Sequence, residues 1–326
     1  MQGKVLSEPK TETHPSVGID VGKSWLDAHV LPANQHRRFA NTAAGIRQLK
    51  QWLRPWPEAA VVVEATGKWH RALYRSLHAE GWRVAVVDPY RVRMFAKAHG
   101  ILAKTDPLDA RVLAMFAAMM DPQARPPAPE AVEALQELVR ARTSAVDERT
   151  MLHNQRAAAQ TAFLRRQLAR RIARLDKDIA GLETEIERRI AADPALARRQ
   201  RILLSIPGIG PVAAAVLLAC VPELGHAAAK QIALLVGLAP IPDDSGERQG
   251  YRCIRGGRKS VRNILYFAAM TATKYNPALK AFYRQLRARG KLGKVALIAV
   301  ARKLLLLANT LLTEDRVWTP EPPNHA

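Results

Sequence analysis

Apolar positions recur along this chain in two registers, and the change from one to the other divides it. Between residues 16 and 120, β-branched or alternating runs at 16–31, 60–64 and 83–88 are interleaved with helix-like stretches at 43–53, 70–80, 90–98 and 106–119. Alternation at period two predicts half-buried strands and return every three or four residues predicts amphipathic helices, so an α/β layer is expected here. Residues 121–129 carry prolines at 122, 126, 127 and 129 and break any helix, which makes them a linker. From residue 130 to about 192 Gly and Pro almost vanish while Ala, Arg, Glu and Leu dominate, favouring long helices. Leu164, Leu168, Ile172, Leu175, Ile179, Leu182, Ile186 and Ile190 step by three and four. That is a coiled-coil seam, which either a second chain or an intramolecular helical hairpin can bury. Residues 261–274 and 296–312 read as core helices.

Four carboxylates stand where these elements end. Asp20 ends or interrupts the first strand, and Glu64 closes the run Val61-Val62-Val63 before the turn chemistry of Ala65-Thr66-Gly67. Asp106 and Asp109 are spaced by three at the start of a helix, with Pro107 in the first turn and Asp106 expected as its N-cap, so both can share one face. An ordinary turn aspartate or a helix cap accounts for Asp20 or Asp106 taken singly. A glutamate after three valines must reach water or meet a cation. Together the four make an all-oxygen site suited to Mg²⁺ or Mn²⁺.

Charge changes the picture further. Across 326 residues, 50 Lys and Arg stand against 29 Asp and Glu, a net charge of +21 that favours a polyanionic partner, nucleic acid above all. An uninterrupted apolar run of membrane-spanning length is not expected, residues 1–13 lack the apolar core of a signal peptide, and a cytoplasmic protein is expected. Two cysteines without CxxC spacing and nine scattered histidines suggest neither a disulfide framework nor zinc.

The C-terminal part offers two phosphate-binding candidates. Ile206-Pro207-Gly208-Ile209-Gly210 between helices resembles a helix-hairpin-helix turn, whose backbone N–H groups at Gly208 and Gly210 can hold a DNA phosphate; a tight αα corner explains it equally. Arg252, Arg255, Arg258, Lys259 and Arg262, threaded through Gly256 and Gly257, form a basic loop, and Lys291 and Lys294 beside Gly290 and Gly293 form another basic turn. Ser245, read alone, is a turn serine, with no nucleophile-elbow context around it.

The order of these motifs resembles the DEDD-type insertion-sequence transposases, understood as bridge-RNA-guided serine recombinases. The resemblance rests on GID at 18–20, EATG at 64–67, KTDxxDA at 104–110, IPGIG at 206–210 and GLxP followed by SG across 237–246, and spans about residues 16–318. It implies a flexible tail (1–13), an RNase H-like (RuvC-like) α/β catalytic domain (14–120), the linker (121–129), a helical coiled-coil segment (130–200), a mainly α transposase domain with the helix-hairpin-helix-like turn (201–318) and a tail (319–326). It implies Asp20, Glu64, Asp106 and Asp109 as Mg²⁺ ligands and Ser245 as the hydroxyl that attacks DNA. It further implies a structured noncoding bridge RNA that pairs with target and donor DNA, and a dimer or tetramer in which the serine meets the acids of another protomer. Relatives often carry Ser-Lys-x-Gly where this chain has Ile254-Arg255-Gly256-Gly257, so the basic residue is kept and the hydroxyl is not.

Three functions are therefore set against one another. An RNA-guided recombinase uses Ser245 as nucleophile; a metal-dependent nuclease or junction resolvase uses the same acids with water; a non-catalytic nucleic-acid-binding protein uses neither.

Overall fold

The computed structural model describes residues 14–65, 67–103, 105–245 and 250–320. Thr66 and Lys104 of the acidic motifs, Gly246 after Ser245, the tail 1–13 and residues 321–326 lie outside that description. The chain divides within its proline-rich stretch into two units, Met1–Pro127 and Ala128–Ala326.

In the first unit β1 (Ser16–Val21), β2 (Trp25–Leu31), β3 (Gln35–Ala40), β4 (Ala60–Glu64) and β5 (Arg83–Val87) form one mixed sheet in the order β3-β2-β1-β4-β5. The β1–β2 and β2–β3 pairs are antiparallel, and the β1–β4 and β4–β5 pairs are parallel. Strand alternation sorts the two faces. Val17, Ile19 and Val21 of β1 bury with Leu49 of α1 (Ala43–Leu53) and Leu73 of α2 (Arg71–Ala79). Val62, Ala85 and Val87 turn the other way, beneath Val92 of α3 (Pro89–Ala98) and Leu113 and Phe116 of α4 (Asp106–Met120). The mixed sheet between helices is compatible with the RNase H-like expectation.

Gly18 lies in the middle of β1 on the α4 side. A Cβ there would stand 2.1 Å from the Ala110 carbonyl oxygen and 2.2 Å from the Ala114 nitrogen, so α4 rests directly on the strand backbone. Glycine is what lets the two backbones meet.

The second unit opens with α5 (Glu130–Ala158) and α6 (Ala162–Ala192), joined by three residues and packed along each other. Leu168, Ile172, Ile179, Ile186 and Ile190 of the seam are buried within this chain, which realises the intramolecular hairpin. Arg142–Glu183 (2.7 Å) and Arg149–Asp176 (2.9 Å) tie the two helices along their flanks. At the base of the hairpin Leu135, Val139, Ile186 and Ile190 join the core of the following helices. These are α7 (Pro194–Leu204), α8 (Pro211–Cys220), α9 (Ala229–Val236), α10 (Lys259–Tyr275), α11 (Pro277–Ala288) and α12 (Gly293–Thr313), with a two-stranded ribbon of β6 (Pro240–Ile241) and β7 (Cys253–Ile254).

By length and hydropathy α12 qualifies as a membrane span, although Arg302 and Lys303 interrupt its apolar sequence. Here it packs against α7, α9, α10 and α11, with Leu304, Leu305 and Leu311 fully buried, as a core helix does.

Candidate active site and nucleic-acid contacts

The period of the strands brings the acids to one face. In the sheet register Asp20 lies two residues beyond Gly18, Glu64 two beyond its partner Val62, and Asp27 directly opposite Asp20, all with the parity that turns toward α4. Because β1 and β4 run parallel, Asp20 and Glu64 sit at the same end of the sheet. There α4 begins, and its seat on Gly18 through Ala110 carries Asp109, one residue earlier, and Asp106, a turn earlier, over the strand end.

The other three carboxylates act electrostatically on Asp20. The Asp20 carboxyl is pushed up from 3.8 to about 6, first by burial and then by Glu64, Asp109 and Asp106, against a small opposing effect of a hydrogen bond from the Val21 backbone. Among the described residues no group of three or more His, Cys, Asp or Glu side chains stands at the spacing of a formed metal cage. The acids converge as a field, not as a closed shell.

The reason lies partly in Asp106, which corrects its expected role. Thr105 is the N-cap residue and Asp106 the first helical residue, so the Asp106 carboxylate does not cap α4. It accepts instead from Arg38 Nη2 at 2.7 Å. The same guanidinium donates through Nε to both Asp27 oxygens, at 3.1 and 3.0 Å, and His36 Nε2 lies 2.9 Å from Asp27 Oδ1. Asp27 is 2% exposed, so Arg38 offsets a buried charge through Nε and Nη2 while Nη2 also holds a prospective metal ligand. The two carboxylates in turn raise the Arg38 pKa, Asp27 most strongly. Arg38→Gln is therefore expected to lower the melting temperature more than His36→Asn does, since only the former removes donors from both Asp27 oxygens. Equal melting temperatures for wild type and Arg38→Gln in thermal denaturation would contradict this.

Sequence reasoning missed Asp27, His36 and Arg38. Their signal was present as polar residues two apart on neighbouring strands, Asp27 with His29 and His36 with Arg38, but β3 exposes its first four residues and so has no hydrophobic stripe. Also missed was Trp69, with Lys68 Nζ 5.3 Å and Lys23 Nζ 5.8 Å from its ring centroid. These cations lie close in sequence to Glu64 and Asp20 and suit a phosphate backbone arriving at the acids.

In the second unit Ser245 is exposed on the loop joining β6 to β7. Asp244 beside it accepts from Arg252 Nη1 at 2.6 Å and from the Gly250 nitrogen at 3.1 Å, which closes the loop base. Arg252 holds the Asp244 carboxyl below the usual aspartate range, so this charge next to the serine is paired. Among the other basic candidates, Arg258 makes a bidentate pair with Glu223 at 2.6 and 2.7 Å. Arg262 donates to the Gly256 carbonyl at 2.5 Å. Both guanidinia thus serve the fold, whereas Arg255, Lys259, Lys291 and Lys294 are exposed.

Gly208 and Gly210 do form the turn between α7 and α8, and they differ. Gly208 has φ 114° and a Cβ on it would stand 2.5 Å from that of Ala272 on α10, so conformation and packing already require glycine. Gly210 is the exposed N-cap of α8, with nothing within 4 Å of a Cβ, so it is the one of the two open to solvent.

An acid-lined α/β layer and a basic helical unit with an exposed serine define an enzyme that works on DNA strands. A family model described as the DEDD transposase of IS110 type matches residues 17–183, half of the chain, and a second, the IS116/IS110/IS902 family transposase, matches residues 200–284. The chain belongs to the IS110/IS116 family of transposases and is a DNA recombinase or transposase. It is similar to the pilin gene-inverting protein of Moraxella bovis, 28% identical over 315 residues that cover 92% of this chain and 96% of that protein. A protein of insertion element IS116 from Streptomyces clavuligerus is 27% identical over 391 residues, covering 94% and 96%. A probable family 20 transposase of Pseudomonas aeruginosa is 25% identical over 346 residues, covering 93% and 98%.

Proposed function

We propose that this transposase is an RNA-guided serine recombinase that excises and inserts its element through a covalent phosphoserine link at Ser245, assisted by Mg²⁺ held at Asp20, Glu64, Asp106 and Asp109. The observation that carries the reading is the acidic group itself, in which three other carboxylates and burial lift the Asp20 carboxyl to about 6. Four oxygen-donor side chains repelling one another at a strand end suit a hard divalent cation. When bound, such an ion offsets charge on the phosphoryl oxygens and favours the departing sugar oxygen. Arg38 balances the Asp106 charge through one carboxylate oxygen, Oδ2.

Ser245 Oγ gives up its proton and bonds to phosphorus as the sugar oxygen leaves with its electron pair and takes up a proton, and return of that sugar hydroxyl reverses the exchange. The phosphodiester energy is conserved, so rejoining needs no external source. Arg252 contributes by pairing Asp244, which removes an unscreened carboxylate from the path of the phosphate. A bridge RNA pairing with target and donor DNA supplies sequence choice, and the net charge of +21 supplies backbone affinity. A homo-oligomer brings serine and acids together, at the cytoplasmic nucleoid. A metal-dependent nuclease remains the second reading because all four acids belong to the first unit and Ser245 to the second.

The test is denaturing electrophoresis of the full chain reacted with copurified RNA and element-flank DNA. Wild type should yield a covalent protein–DNA species, and Ser245→Ala should yield none while retaining RNA binding. Hydrolytic nicking undiminished in Ser245→Ala would establish the nuclease instead.

A further inference from the structure

Beside the serine loop, the second unit holds a groove of about 860 Å³ whose floor is apolar and whose rim is cationic. Leu238, Ile254, Ile298 and Leu306 contribute to the floor, and Arg252, Lys291, Arg302 and Lys303 to the charge. Among the described residues that line it none is a carboxylate. Phe282 lies under Lys303 Nζ, 4.0 Å from the ring centroid, and Tyr251 at the rim is 93% exposed, an aromatic face left to solvent. Arg302 Nε is buried and has no hydrogen-bond acceptor among the described residues. A planar guanidinium edge in that position calls for an anionic or carbonyl acceptor.

These features select among occupants. A duplex hides its base faces in the stack, so it cannot lay one on an apolar floor. An unpaired strand presents a flat π-face and an anionic backbone together, the combination that aromatic and basic grooves bind without reading sequence. The volume falls within the roughly 300–1,000 Å³ of sites that enclose a ligand of small-molecule size, which is the scale of a nucleotide. Pro240 and Ile254 in the wall belong to the ribbon, and Gly250 and Arg252 to its loop that carries Ser245, so the strand at hand is the one the serine attacks.

We propose that this groove takes up an unpaired nucleotide of the DNA strand next to the bond attacked by Ser245, its base against the apolar floor and aromatic rim and its phosphate on Arg302 and Lys291. The proposal rests on the serine-recombinase reading for the choice of DNA. Holding one nucleotide out of the stack beside the reacting bond would fix the register of the strand there, whatever its sequence.

The test is fluorescence anisotropy of the full chain with a labelled oligothymidylate, a duplex of equal length and an oligouridylate. Tyr251→Ala and Arg302→Gln should each weaken single-stranded DNA binding about tenfold and leave duplex affinity within about twofold, as expected for loss of one stacked base. Should Arg302→Gln fail to fold, the exposed Tyr251 carries the result. Unchanged affinity, or equal loss on single strand and duplex, overturns the groove; loss confined to oligouridylate assigns it to RNA and overturns the DNA proposal. Absence of covalent trapping with intact Tyr251 dependence would reject the serine reading while leaving a single-strand groove in place.

Discussion

Gly18→Ala is expected to destabilise the first unit by about 3 kcal/mol or more, the upper end of what overpacking costs. The added methyl would meet the Ala110 carbonyl oxygen at 2.1 Å, the Ala114 nitrogen at 2.2 Å and Leu113 Cβ at 2.6 Å. Two of the three are backbone atoms of a helix and cannot rotate away, so either α4 lifts or β1 shifts. Lifting α4 opens the core beneath Leu113 and Phe116 and moves Asp106 and Asp109 away from Asp20. Gly22→Ala is the control, since its Cβ would meet only the Trp25 carbonyl oxygen at 3.4 Å. Urea denaturation should show a large fall in midpoint for the first substitution and little for the second. A folded Gly18→Ala protein with an unchanged midpoint would mean that α4 does not sit on β1 as described.

That contact also shows what the sequence made legible and what it did not. The strands at 16–31, 60–64 and 83–88 and the helices around them were readable because each buries a stripe of regular period, and the observed β1, β2, β4, β5 and α1 to α4 match them closely. β3 was not readable: as the edge strand it buries Phe39 alone, and its hydrogen bonds rather than its side chains place it. The seam of α6 was plain, but its partner was not, because a 3.5-residue pattern is satisfied equally by α5 of the same chain or by another chain. Short α9 and the two-residue strands of the serine ribbon are held by tertiary packing and leave too little pattern to read.

For the acids, position at element ends was legible and company was not. Asp20 and Glu64 share a face because β1 and β4 pair in parallel with Gly18 opposite Val62, a register that the run Val61-Val62-Val63, buried on both sides, does not announce. The Arg38 bridge required knowing that β3 lies beside β2, a pairing between residues 11 apart that no local pattern announces. Asp106 was assigned to capping by its type and place, and the guanidinium that claims it lies 68 residues earlier.

Removing one member of the acidic group should make the metal-free protein more stable. The native Asp20 carboxyl titrates at about 6 against an ordinary 3.8, so below about pH 4 it is protonated in both states and imposes no penalty. As pH rises from about 4 to 6 the unfolded chain releases this proton first, the folded state binds more protons, and stability falls; above about 6 the loss is complete. The full difference corresponds to about 3 kcal/mol. Solvent screening at this half-buried side chain reduces the expected effect to roughly 1–2 kcal/mol. Asp20→Asn should therefore exceed wild type in stability by that amount at pH 7.5 in chelator, and the gap should close near pH 4. Saturating Mg²⁺ should invert the order, since a cation held about 100-fold above its dissociation constant stabilises the native state by about 2.7 kcal/mol and the variant lacks a ligand. Metal-dependent strand cleavage should be lost in the same variant. Thermal melts at the two pH values, with and without Mg²⁺, decide it: a variant no more stable than wild type in chelator would remove the repulsion argument, and equal Mg²⁺ stabilisation of both proteins would remove Asp20 from the metal site.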